Sequence, residues 1–184
     1  MEASPENVAF LCQPGRVNYF IYRDPRDLLV SQVFFATDMQ EEHGMHAFYE
    51  SLPDFDKRLK VAITGIDRDG LHMVSVKQRY DGVFKWLEQK NVMCLRFEDL
   101  INNRAVTLNA MLDELEKTGY KIPTPREKAL TFLVEAIQPK KSHTFRSGKT
   151  GGWRDHFTEG HKKLFKDVAE DLVVRLGYEK DNDW

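Results

Sequence analysis

The sequence predicts an α/β fold built on a parallel strand pair, and three observations point to it. Residues 17–22 (VNYFIY) form a short apolar, β-favouring run of the kind found in a sheet covered on both faces. Residues 91–97 (NVMCLRF) form a second such run. Each run passes at once into helix-starting residues, Asp24-Pro25 in one case and Glu98-Asp99 in the other. The rest of the chain carries about six helical patterns. Two strands make an unusually small sheet for a chain of 184 residues.

The first junction organises the chain. Asp24 is a good N-cap, Pro25 suits the first helical position, and Asp27 sits where a capping-box acid would. Arg23 therefore falls at the carboxyl end of a strand beside a helix N-terminus, where ligands bind in open α/β sheets. Helix N–H groups favour an anion there, and a guanidinium adds a bidentate donor. Ser31, seven residues past Asp24, returns to the same helix face. Two plainer roles remain open. Arg23 could pair with Asp24 or Asp27 as a surface charge, and Ser31 could simply allow close packing.

Length and composition suit one domain spanning 1–184 with a real core, residues 1–16 carrying little signal. A net charge of −2 argues against a general nucleic-acid binder, so an anion site must be local. Cys12 and Cys94 belong to no metal-spaced group and fit reduced thiols. The expectation is a cytoplasmic protein, with no apolar run long enough to span a membrane and no signal peptide. His43 and His46 lie three apart, but no acid or cysteine completes a metal set, and no metal is expected.

The elements follow in order. Pro14-Gly15 is a turn. The helix from Pro25 should run to about Glu42, with Leu29, Val33 and Ala36 on one face and Gly44 stopping it. Residues 45–73 are apolar anchors among charges, either plain packing or a substrate lid, with a loop over 67–70. Residues 74–90 read as one helix with Val76, Tyr80, Val83 and Leu87 on its stripe and Trp86 beside it. A helix with Ile101, Leu108, Met111, Leu112 and Leu115 follows the second strand and closes at Gly119. Thr124 to Glu127 read as a capping box, opening a helix that buries Leu130, Leu133, Val134 and Ile137 before Pro139. Thr158 caps a last helix with Leu164, Phe165, Val168, Leu172 and Leu176 inward, ended by Gly177.

Residues 138–154 (QPKKSHTFRSGKTGGWR) hold five Lys or Arg and no acid in an acidic chain. Their glycines let backbone approach a ligand, so the stretch reads as an anion cradle or as a basic surface loop. It is not a Walker A loop, because His143 stands where the first glycine would be.

Taken together, these residues resemble the sulfotransferase family, enzymes that use 3′-phosphoadenosine 5′-phosphosulfate (PAPS). The family pattern R-[ND]-P-[KR]-D-x-x-x-S is met by Arg23-Asp24-Pro25-Arg26-Asp27 and Ser31. The pattern [YF]-E-D-[LM] is met by Phe97-Glu98-Asp99-Leu100. The pattern R-K-G-x-x-G-x-W-[KR]-x-x-F-T is met by Arg146, Gly148, Gly151, Trp153, Arg154, Phe157 and Thr158. The resemblance covers about residues 17–184. It implies a three-layer α/β sandwich with a parallel sheet, related to P-loop kinases, that moves a sulfuryl group from PAPS to a hydroxyl or amine of a small-molecule acceptor and leaves PAP. It also implies that Arg23 and Ser31 bind the 3′-phosphate. Arg146, with Ser147 and Gly148 through their backbone, would close over that phosphate. Phe97 takes the place of a tyrosine near the adenine.

The departures matter as much. Ser147 replaces a common lysine, and Phe97 lacks a hydroxyl. The dimer pattern K-x-x-x-T-V-x-x-x-E aligns with Arg154, Thr158, Glu159 and Lys163, whose last charge is reversed, so no dimer is drawn from it. Nothing in the sequence resembles the family's P-loop lysine or its histidine base, so the chain reads as N-terminally truncated and its catalytic residues cannot be named. His143 is the histidine nearest a motif. One alternative is a non-catalytic module that binds PAP or another 3′-phosphonucleotide. Either way a partner should complete the sheet: residues 8–12 pairing with or packing on 17–22, a second copy of the chain, or a complementing N-terminal partner.

Overall fold

A computed structural model describes residues 3–142 and 145–184, so His143 lies outside the described residues. In chain order the elements are α1 (Pro5–Leu11), β1 (Tyr19–Tyr22), α2 (Pro25–Phe34) and α3 (His46–Ser51). Then come α4 (Phe55–Thr64), β2 (Ile66–Arg68), β3 (Leu71–Met73), α5 (Val76–Leu87) and β4 (Met93–Arg96). The chain closes with α6 (Phe97–Asn102), α7 (Arg104–Lys117), α8 (Arg126–Ala136), α9 (Glu159–Ala169) and α10 (Leu172–Arg175). They form two compact units. One comprises Met1–Arg23 with Gly82–Gly148, and the other Asp24–Asp81 with Lys149–Trp184.

In the first unit β1 and β4 pair in parallel, with Tyr19 opposite Met93 and Tyr22 opposite Arg96. The pair is covered by α7 and the end of α5. Phe20 stacks on Trp86 at 6.1 Å, and the Tyr19 hydroxyl donates to the Met111 carbonyl. Trp86, Leu95, Leu108 and Leu112 are buried, so Trp86, expected beside the stripe of its helix, is itself part of the core. Burial raises the Tyr19 phenol and the Cys94 thiol above their usual values. Among the described residues β1 has no other strand neighbour, and Ile21 is 50 % exposed.

Residues 8–12 do not supply a further strand. Ser4 caps Asn7 N–H and Pro5 takes the first helical turn, so the segment folds as α1, and the Asn18 side chain donates to the Leu11 carbonyl at its end. The single helix expected after β4 is two helices, α6 and α7, broken at Asn103. The capping box at Thr124 does not form. Arg126 instead reaches Asn109, Asp113 and Glu116 of α7. Along α8 Ala129 is buried, while Phe132 and Leu133 are exposed, so the expected apolar stripe is only half covered.

The second unit is built on α2, α4 and α9. Leu29, Val33, Leu59, Ile63 and Phe165 are fully buried there. The helix from Pro25 does not reach Glu42. It turns π-helical over Phe35–Met39, where the Thr37 hydroxyl bonds the Val33 carbonyl. Residues 45–73, unclear in sequence, form α3, α4 and a β2–β3 hairpin. The expected loop is the hairpin turn: Asp69 and Gly70 both adopt positive φ, as a two-residue hairpin requires. Gly65 has φ of 75°, and a Cβ there would meet the Met73 carbonyl at 2.5 Å. The last helix also breaks. Glu170 takes φ of 55° between α9 and α10. No helix of the described residues is long and apolar enough to cross a membrane, and among them no cluster of His, Cys, Asp and Glu could hold a metal ion.

Candidate functional site

Arg23 is the first residue after β1, and Phe97 the first after β4. Because Tyr22 and Arg96 are partners in register, the two follow the strand pair at the same level. The Arg23 guanidinium lies over the Phe97 ring, 4.7 Å from its centroid. Such a contact is worth about 0.5–2 kcal/mol and holds the guanidinium plane against a ring that has no hydroxyl. Both side chains are half-buried. The structure thus brings together these two residues, which the sequence places 74 positions apart.

The loop residues Arg146 and Ser147 are exposed in the same unit. Gly148 has φ of 61°, and a Cβ there would stand 2.8 Å from the Phe145 ring, so this position is reserved for glycine. Ser31 belongs to the other unit, half-buried on the second turn of α2. A cavity of about 320 Å³ in the first unit opens at the N-terminal ends of the strands, by Asn18 and Asn91, and neither Arg23 nor Phe97 lines it.

The other motif residues have roles that sequence reasoning missed. Asp24 caps α2 by accepting from the Arg26 N–H at 2.9 Å. Asp27 makes no capping box. Its carboxylate accepts from the Gly151 N–H at 2.6 Å and the Trp153 N–H at 2.8 Å, tying the start of α2 to the glycine loop within the second unit. Arg26 is 1 % exposed and bonds Asp24 through Nε and Nη2 and Glu179 through Nη1. The signal available in the sequence was Asp24, two residues before Arg26, since a buried arginine needs carboxylates.

The five described histidines all have local partners. His43 Nδ1 accepts from the Met45 N–H, and His46 Nδ1 lies 2.8 Å from the Ala36 carbonyl. His72 faces Asp67 across the hairpin. His156 packs on Phe34 and Phe55. His161, 1 % exposed, accepts from the Thr158 N–H at Nδ1 and meets the Asp56 carbonyl at Nε2, which completes the cap of α9. The Lys60 ammonium hydrogen-bonded to Asp56 holds that carboxyl below its usual range.

A parallel strand pair flanked by helices, with Arg23 and Phe97 following its carboxyl ends, defines an α/β protein. Comparison with known proteins makes this specific. The sulfotransferase-domain family profile matches residues 19–177, and the chain belongs to the sulfotransferase family. It is 25 % identical to Sulfotransferase 2A6 of Mus musculus over 90 % of its own length and 59 % of that protein's. It is 24 % identical to Sulfotransferase 2A1 of Homo sapiens over 91 % of its own length and 61 % of that protein's. The chain therefore spans less than two thirds of these relatives. The fold is that of solved sulfotransferases. The mouse sulfotransferase SULT7A1 complexed with PAP superposes with a TM-score of 0.64 at 16 % identity, covering 95 % of this chain and 65 % of that one. Retinol dehydratase in complex with androsterone and inactive cofactor PAP gives 0.59 at 19 % identity, covering 92 % and 49 %.

Proposed function

We propose that this chain supplies the 3′-phosphate-binding part of a PAPS-dependent sulfotransferase acting on a hydroxyl or amine of a small-molecule acceptor. The observation that carries the reading is the Arg23–Phe97 contact at the carboxyl ends of the paired strands, in a chain of this family. Arg23, Arg146 and the Ser147 and Gly148 N–H groups of the first unit, with Ser31 of the second, are assigned to the 3′-phosphate. Phe97 is assigned to the adenine. A phosphate monoester carries close to two charges, which suits two guanidinium groups and helix N–H donors. One family profile covers segments of both units, which supports a single domain over residues 1–184. The free thiols of Cys12 and Cys94 suit a reducing, cytoplasmic setting.

Calorimetry with PAP, 5′-AMP and ADP tests the reading. PAP should bind tightest, and equal affinities would overturn it. A second reading, a binding module without turnover, is favoured by one observation: every described histidine is engaged in local structure. PAPS turnover on the order of 1–10 per second would exclude that module. The edge of β1, which pairs with no second strand among the described residues, supports self-association or a complementing strand. Light scattering after size exclusion should show a dimer or larger species for the isolated chain, and a clean monomer would remove this part of the proposal.

A further inference from the structure

Arg26 is the most deeply buried charge in the second unit, and it is held on four sides. Asp24 grips it with two oxygens, Nε to Oδ1 at 3.0 Å and Nη2 to Oδ2 at 2.7 Å. Glu179 takes Nη1 at 2.7 Å. The guanidinium stands over the Trp153 ring at 3.8 Å and the Trp184 ring at 4.5 Å. Trp184 is itself wedged edge-on against Trp153 and Phe165, and its carbonyl accepts from Lys166 Nζ. Residues 177–184 thus fold back onto the start of α2.

The same Asp24 carboxylate that grips Arg26 also caps α2. Its two tasks share one side-chain orientation. If the guanidinium shifts, the cap shifts with it, and so does the first turn of the helix that follows Arg23 in the chain. A buried arginine with its stacking partner removed admits water, which weakens its ion pairs. Phosphate recognition by N–H groups and bidentate donors depends on sub-ångström placement.

We infer that Glu179 and Trp184 are positioning residues: by fixing Arg26 and, through Asp24, the first turn of α2, they hold the helix that carries Ser31, the residue of this unit assigned to the phosphate. This rests on the 3′-phosphate reading given above. The ring of Trp184 carries the effect, because its buried indole N–H has no hydrogen-bond partner among the described residues. Phenylalanine should therefore replace it.

The test compares the full chain with its Trp184→Ala, Trp184→Phe and Glu179→Gln variants, at a temperature where circular dichroism shows each folded. The first readout is the ratio of PAP to 5′-AMP affinity by calorimetry. Trp184→Ala should lower this ratio at least tenfold, Glu179→Gln about fivefold, and Trp184→Phe less than threefold. A merely structural role would weaken both nucleotides equally and leave the ratio unchanged, and that result would overturn the inference. The second readout is amide hydrogen exchange. Trp184→Ala should speed exchange at the Arg26 and Leu28 N–H groups at least tenfold, with the amides of α4 unchanged. Unchanged exchange at Arg26 and Leu28 would also overturn it. If the unaltered chain fails to prefer PAP, the 3′-phosphate reading falls, and the exchange result still decides whether Trp184 positions α2.

Discussion

Arg23 and Arg26 lie three residues apart in one motif and have opposite fates. Arg26 is sealed: two carboxylates and two indole rings surround it. Arg23 is half-buried, with a phenylalanine ring against its guanidinium. The contrast is between a charge closed off by the fold and one left partly open to solvent. A charge fixed by carboxylates holds the fold, because its partners leave no capacity for a ligand. Arg23 has an aromatic face against its guanidinium instead of indole rings on two sides, and it is not sealed from solvent. Two arginines of one short motif thus have different surroundings.

The largest test of this contrast is Arg26→Met. It leaves the Asp24 and Glu179 carboxylates facing an apolar side chain, so stability should fall by about 3–5 kcal/mol. Urea denaturation measures it. A loss below about 1 kcal/mol would mean that Arg26 is no more than a surface charge. Next is Arg23→Ala, which should leave the urea midpoint nearly unchanged while weakening PAP by about 2–5 kcal/mol. Exposed Lys163→Ala is the control. Equal effects of Arg23→Ala on stability and affinity would erase the distinction between the two arginines.

The smallest effect concerns a buried group with neither carboxylate nor ligand. Tyr49 is fully buried, its hydroxyl faces the Met73 sulfur at 3.5 Å, and burial pushes its phenol up to about 12. A raised folded-state value means that the stabilisation is intact below pH 10 and is lost as pH climbs from there through about 12. Tyr49→Phe should therefore flatten stability between pH 10 and 11 by about 1 kcal/mol. An unaltered alkaline profile would show that the phenol is not desolvated.

The sequence by itself determined the two strands, their junctions with α2 and α6, and the family motifs. These are local signals: short apolar runs, an aspartate cap, a proline in the first turn. It also contained the hairpin turn in Asp69-Gly70, whose positive φ values follow from residue type, although flanking strands of three residues gave too little alternation to show it. Tertiary structure decided the rest. Asp27 could cap its own helix or bond a distant loop. The Gly151 and Trp153 N–H groups won because they need a partner as the loop is buried. Thr124 and Glu127 form no capping box, while Arg126 between them reaches across to Asn109 of α7. Helix breaks at Asn103 and Glu170, and the π-turn after Phe34, follow packing that no periodicity encodes. The fate of Arg26 was out of reach of local reading, because its partners Trp153, Glu179 and Trp184 lie more than 120 residues along the chain. Burial of a charge is settled only where such distant groups arrive together, since only their combined bonds offset its lost hydration.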